Sequence, residues 1–342
     1  MAKTKPEAKK VNLALQGGGA HGAYTWGVLD RLLEDERLEI EGISGTSAGT
    51  MNAAVLADGY EQGGREGARQ ALEAFWRRIS EAGRMSPLQP TPFDRMFGNW
   101  NMDHSPAFAF FGMMTRMMSP YQFNPFNQNP LRNVLENSID FERLHQSTKI
   151  KLFLSATNVR TGKVKIFSKS EISVDALLAS ACLPFMFQTV IIDGEPYWDG
   201  GYMGNPALFP LIYGTASPDL IIIQINPLGS DTIPNTAHEI MNRVNEISFN
   251  SSLMREMRAV SFVTHLLEEG HLDELKYRRM HVHWIDAEEE MRGLGVSSKL
   301  NADLDFLLHL RDLGRRTTDA WLAVNFDAIG RKSTVDIRAK FL

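Results

Sequence analysis

The sequence predicts an α/β fold, with a mostly parallel central sheet flanked by helices. Short apolar strand signals alternate with helical spacings at both ends of the chain. Two glycine-rich turns each stand between a strand signal and a helix signal. The 342 residues show neither an internal repeat nor a low-complexity linker, so one domain is expected.

Residues 11–15 alternate and are apolar enough for a buried strand. Glycines break it, and residues 23–35 then carry Trp26, Val28, Leu29, Leu32 and Leu33 at helical spacing. A second strand is expected over 38–43, a turn of small residues over 44–49, and a buried small-residue helix over 48–57. Residues 65–81 place Ala68, Leu72, Phe75, Trp76 and Ile79 on one helix face. Strand signals return at 151–156, 163–167, 189–192, 220–225 and 281–285. Helical patterns lie at 174–181, 238–267 and 303–328.

Composition narrows the classes. Hydrophobic residues make 43% and charged residues 23%, ordinary globular usage that excludes a disordered chain or a coiled-coil rod. With 36 basic against 41 acidic residues the net charge is −5, which gives no footprint for nucleic acid. The lone Cys182 excludes a disulfide framework and a cysteine zinc site. No run of about 18 apolar residues is present to span a membrane. Residues 1–10 hold four lysines and read as a disordered basic tail without an export signal. The expected compartment is the cytoplasm, with peripheral attachment to a membrane or lipid surface left open.

Residues 87–130 differ in character. Between Phe93 and Phe126 stand 7 of the 19 phenylalanines and 6 of the 16 methionines, interrupted by prolines and asparagines. Either a loop-rich cap buries its own aromatics, or a flexible apolar mouth takes acyl chains.

Gly17-x-Gly19-x-x-Gly22 matches the dinucleotide fingerprint, with Glu39 or Glu41 near the position of a ribose acid. The physics of such a turn is broader. Glycines let backbone N–H groups close on negative charge, whether a pyrophosphate or the oxyanion of a tetrahedral intermediate. The neighbours decide. Gly45-Thr46-Ser47-Ala48-Gly49 fits G-x-S-x-G at a strand–turn–helix junction, where a nucleophile elbow holds a serine out over the strand ends; the bland reading makes Ser47 a helix cap. A nucleophilic serine needs a base. His281 or His283 would suit a triad, yet only one βα unit precedes Ser47, fewer than the usual triad hydrolase has. Asp199-Gly200-Gly201, a tight turn after an apolar stretch, is the better candidate.

These three elements in this order resemble the patatin-like phospholipase family, lipid acyl hydrolases with a Ser-Asp dyad. Residues 179–184 are similar to the family's small-residue helix ending in proline, and Asn205-Pro206 follows the aspartate turn as in the family. The resemblance covers about residues 11–225, with 87–130 as an insert and 226–342 as a helical extension packed on the same domain. It implies Ser47 as nucleophile, Asp199 as base, and an oxyanion hole from the loop of Gly17, Gly18, Gly19, Ala20 and Gly22. Gly45 and Gly49 would shape the elbow, Gly200 and Gly201 the aspartate turn, and Asn205 and Pro206 the segment after it. His21 stands where the family usually has Arg or Lys, which would make its contribution pH-dependent whether it orients the loop or meets an anionic head group. Cys182 is expected to be buried and inert.

The implied reaction is ester hydrolysis on a lipid or acyl ester, without metal or cofactor; no H-E-x-x-H or cysteine cluster is present. Helical residues 238–267, with Ile240, Val244, Ile247 and Leu253, and 303–328 read as intrachain packing, with a homodimer or membrane face left open. Arg311, Arg315 and Arg316 read as a solvated edge or a contact for anionic lipid. Two other classes stay open: a Rossmann-type oxidoreductase, and a noncatalytic lipid-binding regulator of the same fold.

Overall fold

The computed structural model describes residues 8–84, 86–91, 94, 99–230, 233–273 and 276–342. The expected tail over 1–7, and Phe93, Met96 and Phe97 of the aromatic-rich segment, lie outside the described residues.

The strands are β1 (Lys9–Leu15), β2 (Leu38–Thr46), β3 (Lys151–Asn158), β4 (Val164–Phe167), β5 (Val190–Ile192), β6 (Glu195–Asp199), β7 (Asp219–Ile223) and β8 (His281–Ile285). They form one sheet in the order β5-β6-β3-β2-β1-β7-β8, with β4 also on β3. From β3 to β8 the neighbours are parallel; β4, β5 and β6 pair antiparallel at one edge. The expected tail is corrected at its end: Lys9 and Lys10 belong to β1, and the Lys9 ammonium donates to the carbonyls of Phe326 (2.9 Å) and Ile329 (2.8 Å). The extension after 225 is likewise more than helical, because β8 completes the sheet beside β7.

The helices are α1 (Gly22–Glu34), α2 (Ala48–Gly83), α3 (Pro106–Met117), α4 (Pro120–Phe123), α5 (Pro130–Glu136), α6 (Phe141–Gln146), α7 (Val174–Ser180), α8 (Phe209–Gly214), α9 (Ala237–Glu268), α10 (Glu288–Met291), α11 (Leu304–Asn325) and α12 (Ile337–Phe341). The two helices expected over 48–57 and 65–81 run on as α2, broken by non-helical backbone at Gly63 and Gly64.

Strand periodicity divides the core between the two faces of the sheet. Leu13, Leu15, Ile221 and Ile223 face α1, α2 and α11. Ala14, Leu220 and Ile222 face Leu208 and Leu211 near α8, Leu253 and Met257 of α9, and Phe341 of α12. Buried on both sides, these strands read as continuous apolar runs, which is why they were visible in sequence.

The insert supplies one difference. Prolines that suggested irregularity sit instead at the first helical positions of α3, α4 and α5, where a missing N–H costs nothing. No side chain of α3 is fully buried: Phe108, Phe111 and Met114 are half-buried and Phe110, Met113 and Met117 exposed, so a cap that buries its own aromatics is not formed there. In α9, Ile240, Val244 and Ile247 are also exposed, whereas Leu253 is buried. The expected basic edge is largely consumed within the chain: Arg315 pairs with Asp30 and Glu34, and Arg311 pairs with Asp312 while lying over the Trp26 ring. Arg316 stays exposed.

Helix α11 crosses α1 at two glycines. A Cβ on Gly314 would overlap the Tyr24 carbonyl, and one on Gly27 would overlap the Arg311 carbonyl. Overpacking of this kind costs about 1–3 kcal/mol. Gly314→Ala should therefore lower the melting temperature, while Gly112→Ala, with nothing within 4 Å of the added carbon, should leave it level or raise it. Equal melts for the two variants would contradict the close crossing.

Candidate active site

Parallel pairing of β1 with β2 (Leu13 to Ile43, Leu15 to Gly45) sets the turns after both strands side by side at one edge of the sheet. In the second turn the chain passes from Thr46 into α2 through Ser47, whose backbone has φ 52° and ψ −120°. A non-glycine residue at positive φ costs about 1–3 kcal/mol and persists only where its surroundings hold it. They do so here. The Ser47 N–H donates to Ser180 Oγ (2.9 Å), which also meets Thr50 Oγ1 (2.8 Å). Thr46 Oγ1 donates to the Gly204 carbonyl (2.6 Å). Gly45 and Gly49 pack backbone on backbone around the elbow, with Gly49 under the Leu15 carbonyl. The Ser47 side chain is half-buried and opens toward the glycine turn.

That turn runs from Gly17 to Gly22. A Cβ on Gly17 would lie 2.7 Å from Ser47 Cβ, so only glycine brings the two turns together. Gly19 has φ 59°, in the left-handed region, with the Lys299 carbonyl against its Cα. The Gly17 N–H donates to Asn205 Oδ1 (2.7 Å), and its carbonyl accepts from Asn226 Nδ2 (2.8 Å). Gly18 caps and Gly19 opens a single 3-10 turn, and among the described residues nothing accepts from their N–H groups. Free donors at a helix start, beside a serine hydroxyl, suit a developing oxyanion. Ala20 and Gly22 are buried behind them; Gly22 lets α1 pack on Ala48 and Trp76.

Strand β6 ends at Asp199, and Gly200 and Gly201 open a 3-10 turn. Both glycines are closely overlaid, Gly200 by the Ser155 carbonyl and Gly201 by the Phe249 ring of α9. Asp199 is 1% exposed. Burial pushes its carboxyl up to about 7, against the pull of the Gly201 N–H (2.7 Å to Oδ1) and of the Ser47 hydroxyl. The Ser47 contact falls short of a well-aligned hydrogen bond, and Oδ2 is buried without a partner among the described residues. Looseness of this kind is common before substrate binds.

The other sequence candidates fall elsewhere. His281 and Asp219 stand at the starts of parallel strands β8 and β7, the end of the sheet opposite Ser47, and His283 Nε2 donates to Asp219 Oδ1 (2.9 Å). A triad through either histidine is thereby corrected. Glu39 and Glu41 also sit in the first half of β2; Glu41 accepts from the N–H groups of Ala216 and Ser217, so neither reaches the glycine turn as a ribose acid would. His21 is 2% exposed and bonded to Ser298 Oγ (2.7 Å). Burial, with Lys299 nearby, holds its pKa well below the usual value, so it is neutral and contacts no head group; the pH-dependent role expected of it is corrected. Cys182 is buried, its thiol pushed up to about 12. Asn205 does more than shape a turn, since it clamps Gly17.

Sequence reading missed Ser180, Gln16, Asn226 and Lys299. Gln16 is buried and joins four segments: its amide donates to the Asn205 carbonyl (3.3 Å) and Asn250 Oδ1 (3.2 Å), and its Oε1 accepts from Ile225 N (2.9 Å) and Asn226 N (3.0 Å). The one available signal was a polar residue at the end of an apolar strand.

A family model of patatin-like phospholipases matches residues 13–212, more than half of the chain, and the chain belongs to that family. Among curated relatives, the cGAMP-activated phospholipase of Vibrio cholerae is 26% identical over 221 residues, 58% of this chain and 55% of that protein. The uncharacterized protein R571 of Acanthamoeba polyphaga mimivirus is 25% identical over 206 residues, 57% of this chain and 59% of that protein. The aligned part thus spans little more than half the length of these relatives. Among solved structures, VipD from Legionella pneumophila aligns with 99% of this chain and 73% of its own at TM-score 0.38 and 15% identity. The type III effector ExoU aligns with 89% and 54% at TM-score 0.31 and 14% identity.

A carboxyl raised from 3.8 to about 7 binds its proton more tightly in the folded state than in the unfolded one. Its stability contribution is present below the unfolded value and is lost as pH rises through about 7. At pH 8 the full cost is on the order of 4 kcal/mol. Asp199→Asn should therefore raise the melting temperature at pH 8 and gain much less at pH 5. A gain independent of pH would contradict a buried, destabilised carboxylate.

Proposed function

We propose that the chain is a lipid acyl hydrolase of phospholipase A or esterase type, working through an acyl-enzyme on Ser47 with Asp199 as the base. The observation that carries this reading is the juxtaposition of the Ser47 hydroxyl, the buried Asp199 carboxyl and the unoccupied Gly18 and Gly19 N–H groups. Membership of a phospholipase family supports it.

In this mechanism Ser47 Oγ attacks the ester carbonyl carbon as its proton passes to Asp199 Oδ2. The carbonyl oxygen gains the negative charge and is met by the glycine-turn N–H groups. The tetrahedral intermediate collapses, the C–O bond to the alcohol breaks, and the proton on Asp199 goes to that leaving oxygen. Water then gives a proton to Asp199 and attacks the acyl carbon; the bond from that carbon to Ser47 Oγ breaks, Oγ takes the proton back from Asp199, and the fatty acid leaves. A carboxylate is a weak base in water; burial brings its pKa near the working pH, where a general base is most effective. Deletion of one oxyanion donor costs about 2.7–4 kcal/mol in comparable sites.

The insert supports a lipid substrate. Phe110, Met113 and Met117 of α3 are 61%, 52% and 77% exposed, an apolar surface a globular chain would ordinarily bury. Its two ends are each tied to the rest of the chain. At one, Met102 N donates to Ser297 Oγ (3.1 Å) and Asn101 Oδ1 accepts from Gly295 N (2.7 Å). At the other, Gln188 donates to the Asn124 carbonyl (2.7 Å) and Thr189 N donates to the Tyr121 hydroxyl (3.3 Å), just before β5, the hairpin partner of the strand that ends at Asp199. Helix α3 lies between these attachments along the chain. Each buried CH₂ of an acyl chain contributes about 0.8 kcal/mol. The enzyme then acts peripherally on lipid surfaces; among the described residues no helix is long and apolar enough to cross a membrane.

Ser47→Ala should lower turnover of a soluble p-nitrophenyl ester by at least about a thousandfold with an unchanged melt. Undiminished turnover would sink the assignment. The pair Phe110→Ser with Met117→Gln should cut turnover of long-chain phospholipid vesicles about tenfold, while short-chain turnover and the melting temperature hold. These side chains are exposed, so a parallel fall of both activities with a lowered melt would retire the lipid-mouth reading.

A further inference from the structure

Lys299 lies in a 3-10 turn, Val296–Leu300, far beyond the residues 13–212 that match the family model. Its ammonium group donates to Asn226 Oδ1 (2.7 Å), and Asn226 Nδ2 donates to the Gly17 carbonyl (2.8 Å). That carbonyl shares one planar, trans peptide with the Gly18 N–H, so the two point in opposite directions and fixing one aims the other. The Gly18 N–H follows directly on Gly17, the glycine that packs against Ser47, and no described residue accepts from it. Lys299 backs the same turn a second way, because its carbonyl rests against Gly19, and the adjacent Ser298 holds His21.

We propose that Lys299, acting through Asn226, is a positioning residue for the oxyanion donor at Gly18, and that the Val296–Leu300 turn belongs to the active site. The cation polarises the Asn226 amide, which strengthens its donation to Gly17 and in turn the donor strength of Gly18 N–H, as chains of hydrogen bonds do in a low-dielectric interior. The turn itself carries no cation, because His21 is neutral, and the positive charge beside it is that of Lys299. Lys299 is held at a cost to stability. The residue is only half-buried, but its ammonium is enclosed enough that burial lowers its pKa to about 8, with Glu246 as the opposing charge. A neutral side chain of similar length would avoid that cost.

The inference rests on the Ser47 reading, so the assay first compares wild type with Ser47→Ala on p-nitrophenyl butyrate. If these two match, it is that reading that fails. With Ser47 established, Lys299→Met should lower kcat about 10- to 100-fold, less than removal of a donor itself, with KM within twofold and a melting temperature no lower than wild type. Lys299→Arg should restore most of kcat. Asn226→Leu should lose a similar factor, and the double variant Lys299→Met with Asn226→Leu should be no worse than the poorer single one, because the two act as one chain. If Lys299→Met fails to fold, Lys299→Gln is read by the same kcat and KM. Wild-type kcat in the neutral variant, a loss that Arg does not restore, or losses that multiply in the double variant would each overturn the proposal.

Discussion

The structure depends on one constrained residue. Ser47 holds a positive φ between a buried strand and a buried helix, and the chain around it is organised to keep that turn. Gly17 must lack a side chain for the first turn to approach it, and Gly49 must lack one for α2 to begin under β1. Ser180 comes from α7 to hold the Ser47 N–H, and Gly204, beyond the aspartate turn, holds Thr46. Parallel pairing of β1 with β2 supplies the rigid platform on which two sharp turns can meet. Strain in such a turn is tolerated because the sheet beneath it is buried on both faces.

Asp199 carries the complementary cost. A carboxylate buried among apolar groups is unfavourable, and the Gly201 N–H offsets only part of the penalty. The same burial that weakens the fold raises the basicity of the group toward neutrality, which is what the proposed mechanism asks of a base for Ser47. On that proposal, stability and chemistry are opposed at this residue. The network of Gln16, Asn205, Asn226 and Asn250 has the opposite character: its hydrogen bonds join the glycine turn to the segment after β7 and to the middle of α9, and so fix the turn's backbone.

Much of this fold was legible because its signals are local and periodic. Buried parallel strands read as apolar runs, and α1 and the second half of α2 show their faces at helical spacing. The short β6 was harder to see, since its antiparallel hairpin with β5 turns on Asp193-Gly194 within one apolar stretch. Helix α3 was hidden by composition, because prolines that break a helix interior also start helices. The site divides in the same way. Ser47, Asp199 and the glycines announce themselves through turn chemistry. The side chains that hold them do not: Asn205 reaches Gly17 across 188 positions, and Asn226 reaches it across 209. Hydrogen bonds between distant segments have no period along the chain. Lys299 is legible only once the turn it backs is seen in three dimensions.

The central claim is that Ser47 is a nucleophile activated by Asp199. Its most direct test is covalent capture: the protein is treated with a fluorophosphonate at pH 5 to 9, digested, and the modified peptide identified by mass. The account predicts a single phosphonyl adduct on Ser47, formed faster as pH rises through about 7 and absent in Asp199→Asn. An adduct on another residue, or labelling of Ser47 that proceeds unchanged without the Asp199 carboxylate, would contradict it.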